Sequence, residues 1–313
     1  MKLSVTPGTT TARIVAFALM VTLAVTYSLV LSLNRIATTA GIPFIPYVFW
    51  QILGAAILLW LLCGIIRRRP PITRNALISY LIIGLLGYAV AFSALAAAAP
   101  RAPASVISLT LTLTPVLVYV FAVLIRMDRL YASRALGIAA SLGGVLFVLI
   151  PPLLQSASLL TAEMVPWVML ALVAPLCYAI SNISAARFRP EGAGNMEVAA
   201  GVLTASTIFM LPIMAYDGSW WFFEVSFADG SYTILVAAII DALFMVLMYE
   251  VIRLAGPVVF STYNYISTLC GIGWAAALFG EKPTVWIWAA LALLFVGLYL
   301  VNRAPRVAAK EGA

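Results

Sequence analysis

The sequence predicts an all-α integral membrane protein, and three observations carry that prediction. Of the 313 residues, 64% are hydrophobic and only 9% are charged. The mean hydropathy is +1.10, far above that of a soluble domain of this length. Apolar segments of about twenty residues recur without the alternating pattern of a barrel strand. Because backbone polar groups in lipid must be satisfied within the segment itself, we expect these segments to be helices.

Proline, glycine and charged residues divide the chain into ten predicted membrane-spanning helices. The first five cover residues 14–36, 44–66, 77–98, 103–125 and 133–150. A predicted loop with Pro151, Pro152 and Glu163 follows, and the other five cover 165–187, 196–215, 232–254, 257–279 and 284–302. The first apolar stretch is too long for a signal-peptide core, so it is expected to remain as a helix. Residues 1–150 and 151–313 therefore form two predicted halves of five helices each.

The basic residues predict the orientation of the chain. When the loops are assigned alternately to two sides, fifteen Lys and Arg residues fall on one side and only Arg35, Arg101 and Lys282 on the other. Cytoplasmic loops carry the excess of positive charge, so both termini are expected in the cytoplasm. The basic residues cluster at helix ends and not along one face, which favours the lipid bilayer as partner and not nucleic acid. The expected location is a bacterial inner membrane, crossed many times.

The two halves share an internal repeat. An offset of 153 residues places Ser108 on Ser261, Asp128 on Glu281 and Gly144 on Gly297, whereas Pro115 falls on Thr268. An odd number of helices in each half gives the halves opposite orientations. Inverted repeats of this kind are how many secondary transporters achieve alternating access.

Three features resemble the drug/metabolite transporter superfamily, specifically its EamA-like ten-helix branch. They are the segment from Pro115 to Asp128, the run Phe279-Gly280-Glu281 and Gly297, and the resemblance extends over essentially the whole chain. Asp128 replaces the usual Glu, and Thr268 replaces a second Pro. The resemblance implies an exporter or exchanger of metabolites such as amino acids or nucleotide sugars, without naming a substrate.

Asp241 is the leading candidate for a functional residue. It lies near the middle of the eighth predicted helix, where a carboxylate costs about 2.5–3.5 kcal/mol on insertion scales. Such a residue is expected to bind a cationic substrate group or a coupling proton, although a structural hydrogen bond to a neighbouring helix stays open. Glu250 lies on the opposite face of the same helix, three residues before Arg253, and a local ion pair is the favoured interpretation there.

Further candidate substrate contacts are polar or aromatic residues near the middle of other helices. Residues seven or four apart share a helix face, which pairs Tyr27 with Asn34 and Tyr178 with Asn182. The complete candidate set is Tyr27, Asn34, Tyr88, Tyr178, Asn182, Asp241, Tyr263 and Asn264. Pro115 and Pro175 are expected to kink their helices near this site. Cavity lining and structural bonding between helices remain equally open for the polar members.

The tyrosines and Asp241 together suggest a cavity for an ammonium group, held by charge pairing and cation–π attraction. The predicted function is thus secondary transport of an amino acid or another amine-bearing compound. Transport of nucleotide sugars or flavins, or a receptor or structural role, are the alternatives. The absence of His from the sequence, of metal-ligand spacing among its three Cys and of a placed nucleophile argues against an enzyme. No cofactor is expected, and the chain is predicted to be a monomer or a homodimer.

Overall fold

The computed structural model describes residues 9–98, 110–155, 164–218, 220–222, 230–280 and 286–303. Throughout these ranges the regular secondary structure is helical, as predicted. The helices of the first half are α1 Thr10–Thr39, α2 Phe44–Ile65, α3 Arg74–Ile82, the π-helix Ile83–Val90, α4 Ala91–Ala98, α5 Thr114–Leu124 and α6 Ala132–Gln155. Those of the second half are α7 Val165–Ala171, α8 Val173–Arg187, α9 Asn195–Asp217, α10 Tyr232–Ala255, α11 Pro257–Ser261, α12 Tyr263–Phe279 and α13 Trp286–Arg303.

Six helical segments among the described residues are long and apolar enough to cross a membrane. They are Thr10–Thr39, Phe44–Ile65, Arg74–Leu95, Val165–Arg187, Asn195–Tyr216 and Tyr232–Ala255. Shorter apolar helices cover Thr114–Leu124 and Ala292–Val301. The chain is therefore a multi-pass membrane protein, whereas the total of ten crossings and the side of each terminus remain predictions. Ser108, used above to align the two halves, lies outside the described residues.

The predicted loop at Pro151 and Pro152 is wrong. Helix α6 continues through both prolines to Gln155. A proline ring holds φ near its helical value and removes only one backbone donor, and such losses are tolerated within membrane helices. The two prolines were therefore a poor marker for the end of this helix.

Several predicted spans are interrupted. The span 165–187 breaks at Leu172 between α7 and α8, and the span 257–279 breaks at Thr262 between α11 and α12. Before Pro115 the chain forms a turn at residues 112–113. The hydroxyl groups of Thr114 and Thr262 donate to carbonyl oxygens three residues earlier, at 2.8 and 2.7 Å. Such bonds compete with the helical ladder and bend the helix.

Helix α10 lies at the centre of the packing. Its C-terminal Leu254 packs against Ala12 and Ala16 at the start of α1, so α1 and α10 are antiparallel. Tyr47, near the start of α2, donates to the Thr233 carbonyl oxygen at the start of α10, so α2 and α10 run in the same direction. Among the six long apolar segments, Tyr232–Ala255 has the largest buried share. Asp241, at the middle of α10, is on the buried side of this helix and is 0% exposed.

Helices α6 and α13 approach each other closely through Gly137 and Gly297. A Cβ on Gly297 would overlap Ser141 Oγ and the Gly137 carbonyl oxygen. Small residues allow this contact between backbones, which is how helices associate in membranes.

Replacing Gly297 with Ala is expected to lower the free energy of unfolding by about 1–3 kcal/mol, the usual effect of overpacking. The measurement is thermal unfolding of the purified protein in detergent. Gly273→Ala is the matched control, because a Cβ there meets nothing within 4 Å and Ala favours the helix over Gly. Equal melting temperatures for the two variants would contradict the close approach of α6 and α13.

Candidate functional site

The candidate site is built around the carboxylate of Asp241. This residue is 0% exposed, and both of its oxygens accept a hydrogen bond. Gln51 Nε2 donates to Oδ2 at 3.3 Å, and the Tyr88 hydroxyl donates to Oδ1 at 3.2 Å. Two donors from two other helices thus hold the carboxylate between α2, α10 and the π-helix. This arrangement suits a negative charge that is kept away from lipid.

Close helix packing brings Gln51 to Asp241. A Cβ on Gly54, one turn after Gln51, would lie 3.0 Å from the Ala238 Cβ on α10. The absence of a side chain at Gly54 lets the two helices approach within reach of a single amide. Gln51 was not among the sequence candidates. A glutamine inside the otherwise apolar α2 is nevertheless a signal that could have found it, since polar residues in membrane spans are costly and face the protein interior.

Tyr88 reaches Asp241 from the π-helix. Two glycines let this element pack between neighbouring helices: a Cβ on Gly84 would lie 2.9 Å from the Ser206 backbone nitrogen, and one on Gly87 would lie 2.8 Å from Ser181 Oγ. A π-helix widens the turn and changes the direction of the side chains that follow, and such segments recur at functional sites. The tyrosine was predicted from its depth in the span, whereas the π-helix was not.

Aromatic rings form a cluster near Asp241. The rings of Tyr27 and Phe244 are 4.1 Å apart between centroids, and Tyr263 lies 5.5 Å from Phe244. Phe260 stacks on Tyr263 at 4.9 Å. These residues come from α1, α10, α11 and α12, so four helices contribute to one aromatic cluster.

The structure brings five of the predicted site residues together. Tyr88 bonds to Asp241 directly. The hydroxyl groups of Tyr27, Tyr178 and Tyr263 lie close enough to the Asp241 carboxylate to interact with its charge. The three tyrosines sit on different helices, which makes this a tertiary cluster and not a feature of one helix face. Phenol rings beside a buried carboxylate can attract a cation through both charge and quadrupole.

The three predicted asparagines are placed differently. Asn264 Nδ2 donates to the Ser261 carbonyl oxygen at 3.1 Å, a local bond within the predicted span 257–279. Asn182 is buried on α8, and Asn34 on α1 has a buried Oδ1 with no hydrogen-bond partner among the described residues. None of the three bonds to Asp241, whose hydrogen-bond partners in the described structure are Gln51 and Tyr88. A role for the asparagines in substrate binding remains a prediction.

The two predicted kink prolines lie at the beginnings of helices. Pro115 is the second residue of α5, directly after the turn at residues 112–113. Pro175 is the third residue of α8, directly after the break at Leu172. Proline is well suited to the first turn of a helix, where its missing N–H has no intrahelical acceptor.

A second polar cluster lies at one end of α10. Glu250 accepts hydrogen bonds from Arg253 at 2.5 and 3.0 Å, as the local ion pair predicted above requires. It also accepts from Asn195 Nδ2 at 2.6 Å. Arg189 donates to Asn195 Oδ1 and, at 2.7 Å, to the Tyr249 carbonyl oxygen. Burial lowers the pKa of the Arg189 guanidinium, and the charge of Glu250 opposes that shift. We call these four side chains, Arg189, Asn195, Glu250 and Arg253, the arginine cluster.

The carboxylates of the arginine cluster and of Asp241 differ in the partners that hold them. In the cluster the Glu250 carboxylate pairs with Arg253, whereas Asp241 receives only neutral donors from the described residues. Across those residues, no group of three or more Cys, Asp or Glu is arranged to hold a metal ion. Among the described residues, the carboxylate of Asp241 is therefore buried without a positively charged hydrogen-bond partner.

Comparisons with known proteins bear on the family and the fold of the chain. The model of the EamA-like transporter family matches residues 14–150 and, a second time, residues 165–303. No curated protein sequence matches the chain. A solved crystal structure of another protein superposes with a TM-score of 0.73 at 18% sequence identity, covering 92% of this chain and 98% of the other. At that identity the likeness supports the fold alone.

Proposed function

The chain belongs to the EamA-like transporter family, and on that premise we propose that it is a secondary transporter of a small amine-bearing metabolite. Membership makes the protein a membrane transporter of small molecules. The proposal adds a substrate class, a site and a mechanism, which is alternating access between two inverted halves. Export or exchange across a bacterial inner membrane is the proposed setting.

The single observation that carries the substrate class is the environment of Asp241. Its carboxylate is fully buried, is held by two neutral donors and lies beside the cluster of tyrosine and phenylalanine rings. Burying a charge is expensive unless it is paired. A substrate ammonium group supplies the missing positive charge, and the aromatic rings attract the same group.

The Tyr88–Asp241 hydrogen bond supports the inverted halves. The two residues are separated by 153 positions, the offset at which the sequence halves align, so each is the counterpart of the other. Equivalent residues that contact each other lie beside the two-fold axis that relates the halves. In transporters with inverted repeats, substrate sites occur near the midplane at the interface of the repeats.

The directions of other helices at equivalent positions in the two halves also support the inverted repeat. Arg68 after the end of α2 pairs with Glu197 at the start of α9, so these two helices are antiparallel. Ser79 bonds to Tyr249 and Tyr88 to Asp241, so the third span and α10 are antiparallel as well. Opposite directions for helices at equivalent positions are what inverted halves require.

The proposed energy source is a gradient. The sequence has no Gly-rich phosphate-binding loop of the type that nucleotide-driven pumps use. The substrate's own gradient, exchange for a second solute or a proton gradient would then drive transport. Flux into proteoliposomes with and without an imposed pH gradient distinguishes proton coupling from the other two.

The test of the proposed function is a ligand panel on the purified, full-length protein. It contains amino acids, polyamines, other amines, nucleotide sugars and flavins, and the measurement is thermal stabilisation. A ligand present at 100 times its dissociation constant adds about 2.7 kcal/mol of stability. We expect amine-bearing compounds to stabilise the protein, and those hits are then tested for uptake into proteoliposomes.

Two results would overturn the proposal. Stabilisation by nucleotide sugars or flavins and not by amines replaces the substrate class but leaves transport in place. Amines that bind tightly without any flux into proteoliposomes favour a receptor instead of a transporter.

A further inference from the structure

The hydrogen bond between Gln51 and Asp241 determines which way the Gln51 amide faces. An ionised carboxylate accepts hydrogen bonds and cannot donate them. The atom 3.3 Å from Asp241 Oδ2 is therefore the amide nitrogen, Nε2. The amide oxygen, Oε1, makes no hydrogen bond to the carboxylate and is available to another donor.

Gln51 Oε1 is a buried acceptor without a partner. The residue is 2% exposed, and Oε1 has no hydrogen bond within the described structure. Native proteins leave few buried polar atoms unsatisfied, because each one loses its bonds to water. Oε1 lies on the same amide group that already bonds to Asp241, so the site offers two kinds of acceptor side by side.

The carboxylate itself retains room for a further donor. A carboxylate has about four lone-pair positions, and the donors from Gln51 and Tyr88 occupy two of them. An ammonium group that pairs with Asp241 can direct one N–H to the carboxylate and another to Gln51 Oε1. Its carbon-bearing side is left for contact with the aromatic cluster, which includes Tyr27 and Phe244.

We propose that Gln51 is a specificity-determining residue, whose Oε1 accepts an N–H of the substrate ammonium group and selects ammonium ions with N–H donors over quaternary ones. This inference rests on the proposed amine-transport function. Aromatic rings alone do not make that selection, because aromatic cages also bind quaternary ammonium ions. The buried amide oxygen makes the difference: an ion with an N–H gives it a donor, whereas a quaternary ion leaves it without one.

The test is a methylation series of one amine. Phenethylamine and its N-methyl, N,N-dimethyl and N,N,N-trimethyl derivatives share one carbon skeleton and one positive charge, and they carry from three N–H donors to none. Their dissociation constants are measured by calorimetry on the purified, full-length protein. The trimethyl derivative is expected to bind the wild type about tenfold to a hundredfold more weakly than the primary amine, the size of one hydrogen bond to a charged group.

Two variants distinguish a role of Gln51 Oε1 in selectivity from the loss of a hydrogen-bond donor to Asp241. Gln51→Leu removes both Oε1 and the Nε2 donor, whereas Tyr88→Phe removes the other donor to Asp241 and leaves Oε1 in place. In Gln51→Leu we expect the preference for the primary over the trimethyl ion to shrink to the part that the N–H bond to the carboxylate gives, and an undiminished preference overturns the inference. In Tyr88→Phe we expect weaker binding overall, with the preference for N–H-bearing ions retained.

The outcomes distinguish this inference from the proposed function. Equal binding of all four compounds to the wild type overturns the role of Gln51 and leaves the amine site standing. Loss of the preference in Tyr88→Phe as well as in Gln51→Leu overturns it too, since the selection would then act through the carboxylate. Binding of none of the four overturns the amine site and the inference together. The wild-type series needs no variant to fold, so equal binding of the four compounds overturns the inference even if Gln51→Leu is unstable.

Discussion

Asp241→Asn is expected to weaken binding of an amine substrate by about thirtyfold or more and to abolish its transport at concentrations that saturate the wild type. Removing one member of a buried, hydrogen-bonded charge pair costs about 2–5 kcal/mol or more in binding. The asparagine oxygen can still accept from one neighbouring donor, but no negative charge remains to offset the ammonium. Calorimetric affinity and proteoliposome uptake, measured on the same preparation, check this expectation.

The stability of Asp241→Asn without ligand is the first control for this result. The wild type buries a carboxylate among neutral donors, so exchanging it for a neutral amide removes a desolvation cost. We therefore expect the variant to melt at or above the wild-type temperature in the absence of substrate. Loss of binding in a protein of undiminished stability places the effect at the site.

Glu191→Gln is the second control, because it makes the same acid-to-amide change at an exposed position between α8 and α9. It is expected to bind and transport like the wild type. If Asp241→Asn binds every amine of the panel as well as Glu191→Gln does, the carboxylate has no role in recognition, and Asp241 is left as a structural or proton-binding residue.

The largest loss of stability is expected from Glu250→Gln. Glu250 is 3% exposed and accepts hydrogen bonds from Arg253 and Asn195. Removing one partner of a buried ion pair costs about 3–5 kcal/mol, because the remaining charge stays in a poorly solvated position. The measurement is the free energy of unfolding in detergent, taken from denaturant titration.

A double-mutant cycle tests the physical reason for this loss. Arg253→Gln removes the other charge, so the double variant Glu250→Gln with Arg253→Gln should lose less stability than the two single variants summed. Strict additivity would mean that the pair contributes no coupling. A loss below about 1 kcal/mol for Glu250→Gln, the range of an exposed ion pair, would contradict the burial of the arginine cluster.

Most of the fold was accessible from hydropathy alone. The described part of every predicted span is helical apart from short turns such as those at residues 112–113, 172 and 262, because in lipid a backbone has no other way to satisfy its polar groups within one segment. Local breaks were harder to predict. The π-helix at Ile83–Val90 contains neither proline nor an unusual polar run, and its irregularity arises where Gly84 and Gly87 pack against two neighbouring helices.

The site residues likewise fall into those that the sequence could identify and those that it could not. Asp241 could be identified from the sequence because a single carboxylate in the middle of an apolar helix is costly wherever the helix lies. The aromatic candidates followed from their depth in the spans. Gln51 could have been suspected as a polar residue in an apolar span, but its partner, like the role of Phe244, depends on which helix faces it and at what rotation.

The sequence by itself determined that this chain is a helical membrane protein with one buried acid as its leading candidate for function. Both conclusions depend on the cost of placing polar groups in lipid, which is a property of each segment alone. Only the tertiary structure decided that Gln51 and Tyr88 hold that acid and that Glu250 belongs to a different cluster. Hydropathy reports the existence and depth of a helix, whereas rotation and neighbours are determined by close packing of small residues between helices.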